Sequence, residues 1–118
     1  MEPRSFLPLH PRDYLILFAL AEGERHGYGI VKAVEEESGG GVMLDPANLY
    51  RSLKRLIRDT LVRELDRRPA AEADGERRRF FALTDLGREV LSLEAQRLTR
   101  LAEAARSRGL VPHQEKPA

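Results

Sequence analysis

The sequence has 118 residues, of which 33% are charged and 42% are hydrophobic, and its net charge is +1. These proportions are typical of one globular domain and exclude a long disordered chain. The absence of cysteine excludes disulfides and thiolate metal sites and suits a reducing cytoplasm.

Membrane and metal-dependent functions are also excluded. The longest apolar stretch, residues 14–21, is shorter than the ~20 residues of a membrane helix. The first ten residues lack the basic and apolar regions of a signal peptide. No metal-ligand spacing relates the three histidines, His10, His26 and His113. We therefore expect a cytoplasmic protein without a metal or cofactor.

The N-terminal region predicts an extended arm and a first helix. In the arm, prolines alternate with apolar residues such as Phe6 and Leu7. The helix is predicted over residues 12–22 and is apolar around almost its whole circumference, with Tyr14 and Phe18 among its residues. A helix of this kind is buried on more than one side. We therefore expect a second chain to cover part of it.

The middle of the chain predicts two further helices. The second runs from Gly27 to the glycine run at residues 39–41, and residues 42–44 follow as a short strand or an extended link. The third has the clearest start, because Asp45 is a good N-cap residue and Pro46 suits the first helical position. Leucines at helical spacing define its buried face. Its opposite face carries no acid and four cations, Arg51, Lys54, Arg55 and Arg58.

A β-hairpin and a long helix complete the predicted elements. The strands are expected at residues 61–66 and 77–83, joined by a polar linker. Thr84 or Asp85 then caps a helix that continues to about residue 108. Several of its apolar residues are spaced for a partner helix, although Glu94 interrupts a strict heptad; they are Leu91, Leu98, Leu101 and Ala105.

This order predicts a mainly α fold with a small β-hairpin, namely a winged helix-turn-helix followed by a long C-terminal dimerisation helix. We expect an N-terminal arm at residues 1–10 and a DNA-binding domain at residues 11–84. The dimerisation helix is expected at residues 85–108 and a flexible tail at residues 109–118.

The cationic face of the third helix predicts contact with the major groove of DNA. Asn48 and Arg51 are expected nearest the bases, because Asn can bond adenine and Arg can bond guanine. The other cations are expected at phosphates, together with hairpin arginines, namely Arg67, Arg68, Arg77, Arg78 and Arg79. The alternatives are a plain solvated helix face and, for some arginines, pairing with acids such as Glu64 and Asp66.

Three ordered blocks resemble the PadR (phenolic acid decarboxylase regulator) family of winged-helix transcriptional regulators. They are HGYGI at residues 26–30, NLY and LKRL within residues 48–56, and RRRFFALTDLG at residues 77–87. The resemblance covers roughly residues 12–95. It implies a homodimer in which the last helix packs on the N-terminal helix of the other subunit. It also adds Tyr28 and Tyr50 to the residues close to DNA.

The expected dimer contacts combine the arm, the first helix and the last helix, and comprise Phe6, Leu7, Tyr14, Phe18, Leu91, Leu98, Leu101 and Ala105. Two alternatives stay open elsewhere: Tyr28 is either a DNA contact or a core ring, and His26 either caps the second helix or bonds a phosphate. Thr60 departs from the family, which usually has glycine there. Because a β-branched residue resists positive φ, we expect that helix end to be reshaped or strained.

The resulting hypothesis is a sequence-specific DNA-binding repressor that acts as a homodimer on a palindrome-like operator. Some relatives bind aromatic effectors between subunits, but no residue here identifies such a ligand. The alternatives are a winged-helix module for protein contacts and a regulator of another winged-helix family, such as a MarR-like one. An enzyme is not expected, because the run at residues 39–41 lacks the Lys-Ser/Thr of a phosphate loop and no catalytic set converges.

Overall fold

The computed structural model describes residues 2–66 and 79–112. Its elements are a short 3-10 helix at Pro3–Phe6, α1 at Pro11–Ala19, β1 at Arg25–His26, α2 at Gly27–Glu37, α3 at Pro46–Arg58, β2 at Val62–Asp66, β3 at Arg79–Leu83 and α4 at Asp85–Ser107. The predicted fold class, mainly helical with a small hairpin and a long last helix, is confirmed.

The sheet has three antiparallel strands in the order β1-β3-β2. Val62 pairs with Leu83 in the hairpin, and His26 of β1 pairs with Phe80. β1 was absent from the sequence prediction, because two residues are too few to show the alternation that marks a strand. Residues 42–44 form no strand, so the strand is wrong among the two predictions made for them.

The core lies where the three N-terminal helices, the sheet and the start of α4 meet. α1 packs on α2 and α4, and α3 packs on α2 and β2. The fully buried apolar side chains come from all of these elements and include Phe81, Ile16, Leu17, Leu20, Ile30, Leu49, Leu53, Leu56, Leu61 and, from α4, Val90. Because the leucines of α3 belong to this core, the helix is fixed in orientation and its opposite face stays outside.

Each α-helix begins with a side chain that accepts a hydrogen bond from a first-turn amide. Asp45 accepts from Asn48 and Thr84 accepts from Gly87, as the sequence predicts. His10 caps α1 in the same way. His26 accepts from the amide of Gly29 at 3.1 Å, which confirms the cap as the role of this histidine within the fold. Such caps satisfy donors that a helix start leaves unpaired.

The end of α3 is built on a residue in the left-handed region. Thr60 has φ of 62°, so the strained helix end expected from the sequence is present. Its amide bonds the carbonyl of Ile57, and the amide of Leu61 bonds the carbonyl of Leu56, both at 3.0 Å. These two bonds form a Schellman motif, which glycine usually completes because it has no Cβ to clash.

A close approach joins the hairpin to α4. The amide of Thr84 bonds the carbonyl oxygen of Leu61 at 3.1 Å, and Gly87 lies directly against that same carbonyl. A Cβ on Gly87 would overlap the oxygen. Glycine is therefore required here by space and not by its backbone angles.

The N-terminal arm is not extended as predicted. Pro3–Phe6 forms a 3-10 turn, and the arm packs against α4 of its own chain. Phe6 and Leu7 are partly buried against the chain's own core. The expectation that these residues need a partner surface was thus wrong in part, because α4 already provides one.

Candidate nucleic-acid interface

The outward face of α3 is a row of exposed cations. At ~100° per residue, Arg51, Lys54 and Arg58 fall in one stripe opposite the buried leucines, and all three side chains are exposed. Ala47 continues the stripe toward the helix start and is also exposed. The stripe is therefore open to a partner along about three turns of the helix.

The start of α3 carries a short chain of polar contacts. The amide nitrogen of Asn48 donates to Oδ1 of Asp45 at 2.8 Å, and Nδ2 of Asn48 donates to Oδ2 at 3.0 Å. Nη1 of Arg51 donates to Oδ1 of Asn48 at 2.8 Å. The two residues predicted to read bases are thus adjacent and oriented by the N-cap.

Two other arginines of α3 are paired with carboxylates. Nη2 of Arg55 lies 2.6 Å from both carboxylate oxygens of Asp13 in α1. The side chain of Asp13 is 11% exposed and that of Arg55 is 40% exposed. Arg58 lies 3.6 Å from Asp59, and its side chain is 72% exposed. The first pair links two helices, whereas the second is a surface pair that contributes little to stability.

Tyr28 is exposed at the start of α2. Its side chain keeps 68% of its accessible surface, so the alternative of a core ring is wrong. The ring stacks on His26 with centroids 6.4 Å apart, and the ammonium of Lys32 lies 5.7 Å from the ring centroid. An exposed phenol beside a cation can donate to an anion.

Tyr50 lies at the junction of α2, α3 and the sheet. The guanidinium of Arg79 sits 5.1 Å from its ring centroid, and the ring of Phe81 is 6.3 Å away. A Cβ on Gly27 would lie 2.7 Å from the Tyr50 hydroxyl oxygen, so a larger residue there would have to displace the ring. Tyr50 is 38% exposed, as expected for a ring that packs inward and still reaches the surface.

Of the five hairpin arginines predicted to meet phosphates, Arg79 lies within the residues that the structure describes. It donates from Nε and Nη2 to the two carboxylate oxygens of Glu64 at 3.0 and 2.7 Å. This hydrogen bonding lowers the pKa of Glu64 and raises that of Arg79. The pair is the structural alternative weighed for these arginines. The remaining ones, Arg67, Arg68, Arg77 and Arg78, lie outside the described residues.

The predicted dimer residues of α1 and α4 differ in how much of their surface the chain itself covers. Leu91 is 7% exposed and belongs to the chain's own core, so its surface is already covered. Leu101 is 56% exposed and Phe18 is 40% exposed. The ring of Tyr14 stacks on Phe18 with centroids 6.0 Å apart, and burial followed by the charge of Glu94 raises the pKa of the Tyr14 hydroxyl. Leu98 and Ala105 are half-buried.

Sequence reasoning missed Asp13, and it noted Glu94 only as an interruption of the heptad spacing. Each had a signal, since Asp13 is the single acid of α1 and Glu94 falls on the apolar spacing of α4. Glu94 is 1% exposed, accepts from the amide of Leu9 at 2.8 Å and pairs with Arg97.

Within the described ranges, no group of His, Asp or Glu side chains could hold a metal ion. None of the described helices is long and apolar enough to cross a membrane.

Comparison with known proteins identifies the family. The family model described as "Transcriptional regulator PadR-like family" matches residues 16–93. A protein of Streptomyces fradiae, an uncharacterized 37.1 kDa protein in transposon Tn4556, is 43% identical over 88 residues. That match covers 75% of this chain and 23% of the relative, so the chain spans about a quarter of that protein's length.

Solved structures share the fold. A PadR family transcription regulator from Clostridium difficile R20291 has a TM-score of 0.70 at 24% identity, covering 83% of this chain and 97% of that one. Bacillus subtilis PadR, solved in complex with operator DNA, has a TM-score of 0.57 at 24% identity, covering 89% of this chain and 49% of that one. The family match agrees with the predicted regulator and not with an enzyme. The chain therefore belongs to the PadR-like family of transcriptional regulators.

Proposed function

We propose that this chain binds operator DNA through α3 as a homodimer and represses transcription in the cytoplasm. The observation that carries the proposal is the exposed stripe of Arg51, Lys54 and Arg58 on a helix whose opposite face is locked into the core. A helix with such a face can enter the major groove, where cations meet phosphates and base edges.

The start of α3 is proposed to lie nearest the bases, because N-terminal residues of a recognition helix reach deepest. Asn48 and Arg51 hold each other there at 2.8 Å and can exchange that bond for bonds to adenine and guanine. Lys54, Arg55 and Arg58 are proposed to contact phosphates. Two tyrosines on the flanks, Tyr28 and Tyr50, are proposed to do the same through their hydroxyl groups.

The hairpin is proposed to meet the DNA backbone through its arginines. Arg79 would exchange Glu64 for a phosphate, which costs little because both side chains are at the surface, 52% and 39% exposed. The other hairpin arginines, Arg67, Arg68, Arg77 and Arg78, keep the role proposed from the sequence.

The dimer is proposed to form through α1 and the second half of α4. Phe18 and Leu101 support this, because both are large apolar side chains left exposed by their own chain. Leu98 and Ala105 extend the surface of α4, and Tyr14 extends that of α1. On this proposal, residues 11–84 form the DNA-binding domain and residues 85–108 the dimerisation helix, with an arm before them and a tail after them.

Two facts favour DNA over a protein partner. Bacillus subtilis PadR, which has a similar fold, has been solved in complex with operator DNA. A winged helix used only for protein contacts has no need of a cationic outer face on its third helix. Here, four cations of α3 lie on or beside that face.

The salt dependence of binding tests the proposal directly. The probe is a labelled duplex selected by the purified protein from a randomised pool of about 30 bp, enough for two half-sites ~34 Å apart. If each subunit neutralises about four phosphates, log K should fall with log salt with a slope near −7. No binding at low salt would contradict the proposal.

A matched pair of variants tests the helix face. Arg51→Ala should weaken binding to the selected duplex by ~1–3 kcal/mol, because a bidentate base contact is lost. Arg100→Ala is the control, since Arg100 is an exposed arginine on α4, opposite Leu98 around the helix. Equal affinity of the two variants, measured by fluorescence anisotropy, would remove Arg51 from the site.

A further inference from the structure

We propose that Asp13 is a positioning residue for DNA recognition, which holds Arg55 so that its free Nη1 group meets a backbone phosphate. The inference rests on the proposed function and adds to it a residue of α1, a helix otherwise assigned to the core and the dimer. Asp13 itself touches no DNA in this proposal and acts through Arg55.

The Asp13–Arg55 pair engages one terminal nitrogen of the guanidinium and leaves the other without a partner in this pair. A single atom, Nη2 of Arg55, donates to both oxygens of Asp13 at 2.6 Å. An arginine side chain has five N–H donors in a fixed fork. Asp13 therefore occupies Nη2, and the two N–H groups of Nη1, on the other arm of the fork, are left for another acceptor.

The burial of Asp13 stabilises the ion pair with Arg55. The side chain of Asp13 is 11% exposed, so Arg55 cannot leave it without stranding a nearly buried carboxylate. The side chain of Arg55 is 40% exposed, so its outer part reaches the surface beside the stripe of Arg51, Lys54 and Arg58. Asp13 thus fixes a cation without hiding it.

Arg55 differs in this respect from the neighbouring arginines of α3. Arg51 is paired with Asn48 of the same helix, and Arg58 lies beside Asp59 at the surface. Their orientation follows α3 alone. The orientation of Arg55 depends also on α1, because its partner comes from that helix.

Preorganisation is the physical benefit. An arginine loses rotamer freedom when it is immobilised at an interface, and this loss weakens binding. Because Asp13 already holds Arg55 in the free protein, DNA binding removes little further rotamer freedom from that side chain. Removing Asp13 should therefore weaken DNA binding although the charge of Arg55 remains.

The test is a double-mutant cycle with Asp13→Asn, Arg55→Gln and the combined variant. Affinity for the selected duplex is measured by fluorescence anisotropy, at a temperature well below the melting temperature of the least stable variant. Circular dichroism verifies that each variant is folded. We expect Asp13→Asn to weaken binding about three- to tenfold. In the Arg55→Gln background it should have no further effect, since Asp13 acts through Arg55.

Asp59→Asn is the matched control, because Asp59 is likewise a carboxylate beside an arginine of α3, in this case Arg58 at the surface. It should not weaken binding, because Arg58 keeps its charge when this surface acid is removed. If Asp13→Asn fails to fold, Arg55→Lys replaces it: lysine keeps the charge and the ion pair but lacks the fork, so binding should fall by a similar factor.

Each opposite result overturns the inference. Unchanged affinity of Asp13→Asn, or of Arg55→Lys where it is used, would make the pair purely structural. Tighter binding would mean that Asp13 masks Arg55. A loss that persists in the Arg55→Gln background would mean that Asp13 acts by another route. If the unaltered protein binds no duplex, the proposed function fails and this inference with it; the other results leave the proposed function intact.

Discussion

The backbone amide of Leu9 donates a 2.8 Å hydrogen bond to Oε2 of Glu94, a carboxylate that is 1% exposed. Arg97 donates to both oxygens of the same carboxylate from the next turn of α4. Glu94 therefore connects the N-terminal arm, α1 and α4, since it also lies close enough to Tyr14 to raise the pKa of that hydroxyl.

Glu94→Ala should destabilise the fold by about 2 kcal/mol, because charge-assisted hydrogen bonds are lost and the Leu9 amide is left without its acceptor. Urea unfolding followed by circular dichroism measures the change. Glu94→Gln, which keeps an acceptor oxygen, should lose less. Equal loss for both variants would show that the charge of Glu94 and its pairing with Arg97, and not the hydrogen bond to Leu9, are what matters.

The same contact predicts acid sensitivity. The hydrogen bond from Arg97, with that from Leu9, holds the pKa of Glu94 below its ordinary value of 4.5. A carboxylate with a lowered pKa in the folded state contributes stability that is present above its unfolded pKa and lost as the pH falls through the folded value. The free energy of unfolding should thus decline below about pH 4.5, and less steeply in Glu94→Gln. Identical pH profiles for the two proteins would contradict the assignment.

Thr60→Gly should stabilise the protein by about 1 kcal/mol, because it relieves a β-branched residue at φ of 62°. The Schellman hydrogen bonds are formed by the backbone and are kept. Thr60→Asn, which tolerates this region better than threonine, should gain a smaller amount. Thermal unfolding distinguishes the three proteins, and a destabilised glycine variant would contradict the strain.

Gly87→Ala should destabilise the protein by about 2–3 kcal/mol, because the added Cβ would overlap the carbonyl oxygen of Leu61. Gly29→Ala is the matched control within α2, where the new Cβ meets only ordinary contacts at 3.6 Å or more. That substitution should stabilise by about 0.5–1 kcal/mol through helix propensity. The two variants should move the urea midpoint in opposite directions.

Leu98→Ala together with Leu101→Ala should weaken self-association, because the two side chains provide apolar surface on the second half of α4. Sedimentation velocity at several concentrations measures the effect. Met43→Ala is the control, since Met43 is an exposed apolar residue, 74% exposed, outside the predicted seam. An intact dimer in the double variant would exclude the second half of α4 as the dimer interface.

The helix starts and the cationic face of α3 were predictable because they depend on local sequence. Asp45 and Thr84 mark their helices by residue type, and the spacing of the leucines places Arg51 and Lys54 opposite the core. No partner or distant contact is needed for either inference.

The contacts that organise the site were not predictable, because each joins residues that are far apart in the chain. Asp13 is 42 residues from Arg55, and Leu9 is 85 residues from Glu94. A lone acid in an apolar helix signals that a partner exists but does not say which one. The strand at Arg25–His26 is likewise defined by its pairing with β3 and by no pattern of its own.

His26 has a consequence for how the domain adapts to DNA. It pairs with Phe80 in the sheet, meets the ring of Phe80 edge-on and caps α2. The start of α2 and β3 are thereby held together, and Tyr50, whose ring lies beside Phe81, attaches α3 to them. In the proposed dimer, the domain of each protomer would then keep its internal geometry. An operator with a longer or shorter spacer between its half-sites would have to be accommodated by rotation of one protomer against the other.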